Sequence, residues 1–299
     1  MSDVITTQGL SKKYRKHVAL DKLTFAVPEG SVYALLGANG AGKTTALKLL
    51  MNLHPPTAGE ARVLGIDSRQ LLGRHFENIG YVSENQDLPG WMTMQFLLDY
   101  LKPFYPTWDD ARAAELLAQF RLPLDRKIKH FSRGMQMKAM LASSLAYNPK
   151  LLVLDEPFSG LDPLTREELI GALLECGHET SIVVSSHDLA DIESFASHIG
   201  YLDQGKLEFG EELSALTARF REMEVTLEQP ALPSPWPAHW LRPEASPAVV
   251  RFIETHYDPE RTIGEIKLLF RGITHIEANP MPLRSIFIAL ARTSQKLAA

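Results

Sequence analysis

The run Gly37-Ala38-Asn39-Gly40-Ala41-Gly42-Lys43-Thr44 has the residue types needed to wrap an anion in backbone amides. Glycines at 37, 40 and 42 permit tight turns that aim several N–H groups inward. An apolar run, residues 31–36, precedes the loop, and a helical pattern, residues 44–53, follows it. The loop therefore meets the positive end of a helix dipole. Placed there, Lys43 can reach the β- and γ-phosphates of a nucleotide, the Thr44 hydroxyl can ligate Mg²⁺, and Thr45 continues the first helical turn. Taken alone, such a loop fits kinases, GTPases and many ATPases equally well.

Phosphoryl transfer also needs an acid at the end of a buried strand. The apolar run 151–154 leads directly into Asp155 and Glu156. This delivers Asp155 toward a metal ion and sets Glu156 beside the γ-phosphate, where a carboxylate can polarise water. By itself an acidic pair after an apolar strand is often a solvated turn, so the pair gains its meaning from the loop.

Between these elements stands Phe131-Ser132-Arg133-Gly134-Met135-Gln136, followed by a helical run. It resembles the signature of ATP-binding cassette (ABC) proteins, usually Leu-Ser-Gly-Gly-Gln. The resemblance extends over residues 4–220, because the other motifs follow in the family's order. It implies that Tyr14 stacks on adenine. It also implies that Ser159-Gly160-Leu161-Asp162 is the family's joining loop, with Asp162 linking two active sites, and that His187 senses the γ-phosphate. In the family, Ser132 and Gly134 address the nucleotide held by the other subunit. A second cassette subunit, identical or different, is thus an implied partner, and ATP and Mg²⁺ are the implied ligands.

Three positions depart from the family pattern. Arg133 replaces a glycine, Met135 replaces the usual glutamine, and Glu84 follows the strand 79–82 where a glutamine is expected, with Gln86 two residues on. Glu84 can still hold Mg²⁺ or position water, although its charge alters metal affinity. Arg133 adds a cation near phosphates, and Met135 forfeits polar contacts. Such substitutions resemble the exporter branch of drug, antibiotic and lipid pumps.

These residues need a scaffold. Short apolar runs broken by Gly9, Asp21 and Pro28 predict antiparallel strands over 4–27. Strand-like runs at 151–154 and 181–185, separated by a helical pattern at 163–174, predict a mainly parallel sheet covered by helices. Residues 88–148 read as a helical insertion. In the family this insertion touches a membrane partner. It concentrates Trp91, Met92, Met94, Phe96, Phe104, Tyr105 and Trp108, about two thirds of which are expected to pack locally and the rest to line a groove for a partner helix. After a helix expected at 211–223 and a loop at 229–237, strands at 224–227, 248–254 and 273–278 alternate with helices at 259–272 and 283–292. The pattern predicts an α/β fold, and the resemblance implies a P-loop NTPase of the ABC type, divided into a nucleotide-binding domain, 1–222, and a small α/β appendage, 223–299.

The bulk composition narrows the function classes. A net charge of −5 argues against a broad nucleic-acid-binding face, and the lone Cys176 fits a reducing compartment. No apolar run approaches the roughly 18–20 residues of a membrane span, and the first residues lack the pattern of a signal peptide. Membrane action would pass through an integral membrane permease, with the chain cytoplasmic and peripheral on the inner face. The resemblance implies a dimeric ATPase driving such a permease, most simply for export. The alternative is a cassette ATPase uncoupled from transport, for example of the iron–sulfur assembly type.

Overall fold

The computed structural model describes residues 2–228, 232–233 and 235–297; of the expected loop 229–237, residues 229–231 and 234 lie outside the described residues. The chain divides into two compact units, Met1–Gly210 and Glu211–Ala299. The division precedes the 222/223 boundary read from the sequence.

In the first unit, strands β1 (Asp3–Tyr14), β2 (His17–Pro28), β4 (Ala58–Val63) and β5 (Ile66–Asp67) form an antiparallel sheet in the order β2-β1-β4-β5. Strand β3 (Val32–Leu36) and helix α1 (Lys43–Leu50) intervene between β2 and β4. The core sheet runs β10-β9-β3-β8-β7-β6, from β6 (Ile79–Ser83), β7 (Leu151–Asp155), β8 (Ser181–Ser186), β9 (His198–Asp203) and β10 (Lys206–Glu212). The pairs β3·β9, β3·β8, β8·β7 and β7·β6 are all parallel. Strand β7 is buried at every residue, the near-continuous apolar pattern of a parallel strand covered on both faces.

One apolar cluster joins Ile5, Leu10 and Val27 of the antiparallel sheet to Leu47 and Leu50 of α1 and to Leu35, Val153 and Val183 of the core sheet. Burying each such side chain contributes about 1.5–3 kcal/mol. This cluster fixes α1 against the sheet and so fixes the loop before it.

Between β6 and β7 lie α2 (Met94–Leu101), α3 (Asp110–Gln119) and α4 (Arg133–Leu145), and α5 (Pro163–Glu175) connects β7 to β8. Thr93, Asp109, Ser132 and Asp162 cap α2 to α5 by accepting first-turn amides, as short polar side chains at N-caps should.

The second unit holds α6 (Leu213–Arg219), β11 (Arg221–Leu227), β12 (Trp240–Ala245), β13 (Val249–Glu254), α7 (Pro259–Leu269), β14 (Ile273–Pro280) and α8 (Leu283–Leu297). Its antiparallel sheet runs β12-β13-β11-β14. The helix expected at 211–223 is corrected to Leu213–Arg219. Met223, Val225 and Leu227 alternate inward from Arg221 onward, and that period of two selects a strand. These three residues pack with Trp240, Val250, Phe252, Ile266 and Phe270 in a separate core.

Candidate functional site

The core sheet gathers its polar residues at the C-terminal ends of four adjacent parallel strands. There β3 opens the glycine loop, β7 ends in Asp155, β8 ends in Ser185 and Ser186 before His187, and β6 precedes Glu84. In open α/β sheets ligands bind beyond these strand ends.

Two glycines in the loop are required by the backbone. Gly42 sits at φ 110°, and a Cβ there would meet Ala19 O at 2.5 Å; a Cβ on Gly37 would meet Leu202 O at 2.3 Å. The loop doubles back so that Lys43, only 5% exposed, donates from Nζ to Gly37 O at 2.6 Å and Ala38 O at 3.2 Å. Its ammonium also lies 3.0 Å from Glu156 Oε1.

Asp155 is buried. Its Oδ1 accepts from Thr44 Oγ1 at 2.9 Å and from Ser185 Oγ at 2.8 Å, whereas the buried Oδ2 has no hydrogen-bond partner among the described residues. Burial pushes this carboxyl above the usual aspartate range, and the Ser185 and Thr44 hydrogen bonds oppose that shift. The donor set fits a hard cation. Thr44 gives its proton to Asp155 and keeps its lone pairs, and the unpartnered Oδ2 offers a further oxygen beside it.

Glu156 is held from three sides. Its amide donates to Ser185 Oγ at 2.9 Å, Oε2 lies 2.8 Å from His187 Nδ1, and Oε1 faces Lys43. Its backbone adopts φ 52°, a left-handed conformation that non-glycine residues rarely enter and that costs about 1–3 kcal/mol. A carboxylate flanked by a lysine and a histidine can accept a proton from a neighbouring water and remain oriented while it does so.

A cavity of about 370 Å³ opens over these groups. Tyr14, Asn39, Gly40, Gly42, Lys43, Thr44, Thr45, Glu84, Asp155 and Glu156 all line it, so most of the expected site residues come together in one cleft. Tyr14 is 40% exposed, with Lys12 Nζ 5.0 Å from the ring centroid. Ala41, within the loop, is buried.

Ser132, Gly134 and Asp162 do not line this cavity. Ser132 caps α4 by accepting from the Met135 amide at 3.2 Å, and Gly134 lets Thr165 approach, since a Cβ there would lie 3.1 Å from Thr165 Cγ2. Asp162 accepts from the Thr165 amide at 3.0 Å and its hydroxyl at 2.7 Å, which hold its carboxyl below the usual range. The departures at 84 and 133 meet each other: Arg133 Nη2 donates to Glu84 Oε1.

Sequence reasoning overlooked Ser185, which ties Asp155 and Glu156 together. The signal was a pair of serines, Ser185 and Ser186, closing an otherwise apolar strand. Of the insertion's large apolar side chains, Met92 and Met94 are buried and Tyr105 and Trp108 half-buried, whereas Trp91, Phe96 and Phe104 are exposed at 64%, 48% and 58%.

The family model described as ABC transporter matches residues 20–159. The bacitracin transport ATP-binding protein BcrA of Enterococcus faecalis is 34% identical over 229 residues, covering 74% of this chain and 73% of that protein. The daunorubicin/doxorubicin resistance ATP-binding protein DrrA of Streptomyces peucetius is 36% identical over 214 residues, 68% of this chain and 63% of that one. The probable multidrug ABC transporter ATP-binding protein YbhF of Escherichia coli is 32% identical over 237 residues, and the chain spans only 40% of its length. Among solved structures, an ATP-binding subunit of an ABC transporter superposes with TM-score 0.65 at 29% identity over 72% of this chain and 92% of its own. A dimeric ATP-binding cassette in a post-hydrolysis state, bound to ADP and Pi, superposes with TM-score 0.63 at 26% identity over 70% and 98%.

Proposed function

The chain belongs to the ABC transporter family as an ATP-binding, ATP-hydrolysing subunit, and from that premise we propose that two such subunits close around two ATP molecules to drive export through a separate membrane permease. The observation that carries the reading is the split of the site. Lys43, Asp155 and Glu156 line one cleft, with His187 bonded to Glu156 behind it, while Ser132 and Gly134 at the start of α4 do not line it. A second copy supplies that missing edge, with the helix N-terminus turned toward the γ-phosphate.

In this reading Tyr14 stacks on the adenine, and the backbone of Gly37, Ala38, Asn39, Gly40, Ala41 and Gly42, with Thr45, wraps the phosphates. Lys43 leaves Glu156 for the β- and γ-phosphates. Thr44 and Asp155, with Glu84 in reach of the same cleft, would hold Mg²⁺, which neutralises phosphate charge when bound. Glu156 orients the attacking water and receives its proton, while His187 holds the carboxylate in place. Asp162 links the two sites across the dimer.

The exposed Trp91, Phe96 and Phe104 lie in the insertion that would meet the permease. Between β6 and the same segment, a cavity of about 430 Å³ lined by Tyr81, Leu88, Met92, Tyr100 and Tyr147 suits a partner helix. In this reading the permease supplies the membrane crossing and the chain sits on its cytoplasmic face; no described helix is long and apolar enough to cross a membrane. Export is supported by the names of the bacitracin and daunorubicin relatives.

The test compares two variants in the presence of ATP. Lys43→Ala is expected to lose nucleotide binding, and Glu156→Gln to bind ATP, stop hydrolysing it and accumulate as a dimer. Hydrolysis by Glu156→Gln at the parent rate, or a chain that stays monomeric with ATP and its permease present, overturns the reading.

A further inference from the structure

The second unit holds a carboxylate that its surroundings do not neutralise. Glu254, at the end of β13, is fully buried. Its Oε2 accepts from Trp240 Nε1 at 2.7 Å and its Oε1 from the His256 amide at 2.7 Å, both neutral donors. Trp240 is itself locked by stacking on Phe252 at a centroid distance of 4.1 Å. Among the described residues, the basic group paired with this carboxylate is His239, whose Nε2 lies 3.6 Å from Oε2. The same Nε2 lies 3.0 Å from Glu265 Oε2, which α7 brings in from the other side. Two carboxylates thus converge on one imidazole nitrogen.

We propose that His239, Glu254 and Glu265 form a binding site for a divalent transition-metal cation of the Zn²⁺ class. Three observations support it independently. The first is charge: one imidazole can offset at most one of the two carboxylates, which leaves a negative charge in a cluster whose Glu254 is fully buried, whereas a divalent ion cancels both. The second is spacing. Tetrahedral zinc with bonds of about 2.0–2.1 Å sets its ligand atoms about 3.3–3.4 Å apart. The separations of 3.0 and 3.6 Å bracket that figure, and all three ligand atoms lie within 4.8 Å of one another.

The third is the outer layer, which fixes ligands in real metal sites. Trp240 and the His256 amide orient Glu254, and Thr255 holds the backbone of His239 by donating from its amide at 3.2 Å and from Oγ1 at 2.9 Å to His239 O. His239 and Glu265 are about one-third exposed, at 31% and 33%, which leaves an entry path and a fourth position for water. Such an ion would join three segments of the unit: the turn before β12, the end of β13, and α7.

The test uses the full chain, stripped of metal with chelator and kept free of nucleotide so that the phosphate cleft does not contribute. Zn²⁺ is titrated calorimetrically, and Co²⁺ is followed through the visible bands of a four-coordinate ion. The expected result is one ion per chain, a higher melting temperature with Zn²⁺, and a visible Co²⁺ spectrum. His239→Gln and Glu265→Gln alter side chains about one-third exposed and keep the fold. Each is expected to weaken binding by more than the roughly 10–100-fold typical of losing an outer-layer partner, and to abolish the Co²⁺ bands. Binding in either variant equal to the parent overturns the proposal. So does a parent chain that binds neither ion and shows only a pH-dependent stability tied to His239, since the cluster is then a plain imidazolium–carboxylate pair.

Discussion

Replacing Glu156 by Gln keeps the side-chain outline and an oxygen facing Lys43 but deletes the charge. The pair it breaks is nearly dry, with Lys43 side chain 5% and Glu156 side chain 13% exposed, and its atoms are 3.0 Å apart. At an effective dielectric near 20 the attraction is about 5 kcal/mol. Desolvation of both ions offsets more than half of it, leaving a net contribution of about 2 kcal/mol. The nucleotide-free monomer should lose that amount, which for a unit of this size lowers the melting temperature by about 4–8 °C. Triphosphate binding in the parent must first separate Lys43 from Glu156, and the variant is spared that step. The two effects close a thermodynamic cycle, so the same 2 kcal/mol returns as roughly 30-fold tighter ATP binding. Thermal melts without nucleotide and fluorescent-ATP titrations of the monomer measure the two sides. A variant that melts like the parent yet binds ATP 30-fold more tightly, or the reverse, breaks the cycle and refutes the competition between carboxylate and phosphate.

Asp155→Asn should stabilise the nucleotide-free chain at pH 7 while abolishing hydrolysis. The folded carboxyl titrates above its unfolded value because it is buried, so its ionisation weakens the fold as pH rises through the folded pKa. The gap between variant and parent should close below the ordinary aspartate value of about 3.9, and a less stable variant at pH 7 refutes this. The Glu84–Arg133 pair is half in water, Arg133 being 51% exposed, so a double-mutant cycle with Glu84→Gln and Arg133→Gly should give a coupling of at most about 1 kcal/mol in thermal stability. Trp240→Ala should destabilise the second unit by about 3–5 kcal/mol, read as loss of near-ultraviolet circular dichroism, because it removes a buried ring stacked on Phe252 and strands the Glu254 carboxylate.

The cleft was legible because its chemistry is local in the chain. A glycine loop before a helix and an acidic pair after an apolar run each sit within a few residues, and the parallel sheet brings Lys43, Asp155, Glu156 and His187 together. What escaped depended on tertiary context. Ser185 reads as an ordinary strand residue until the sheet sets it between two carboxylates. Strand β12 carries Pro243, which argues against a central strand; it is tolerated because β12 is a sheet edge. The helix expected through residue 223 failed because Glu and Met favour helices, while the alternation of Met223, Val225 and Leu227 buried against a sheet overrode that preference. The exposed Trp91, Phe96 and Phe104 look like core residues by composition alone, and no local pattern reveals which face of the insertion they occupy.

The left-handed backbone at Glu156 sets two demands on one position. Glycine or asparagine would sit there with less strain, but neither brings a carboxylate. Losing the Lys43 pair offsets the strain relieved, so a library randomised at 156 and ranked purely by resistance to heat should retain glycine and asparagine alongside glutamate, and every such survivor should be a dead ATPase. Thermostability screening of this chain thus needs an activity gate at that codon.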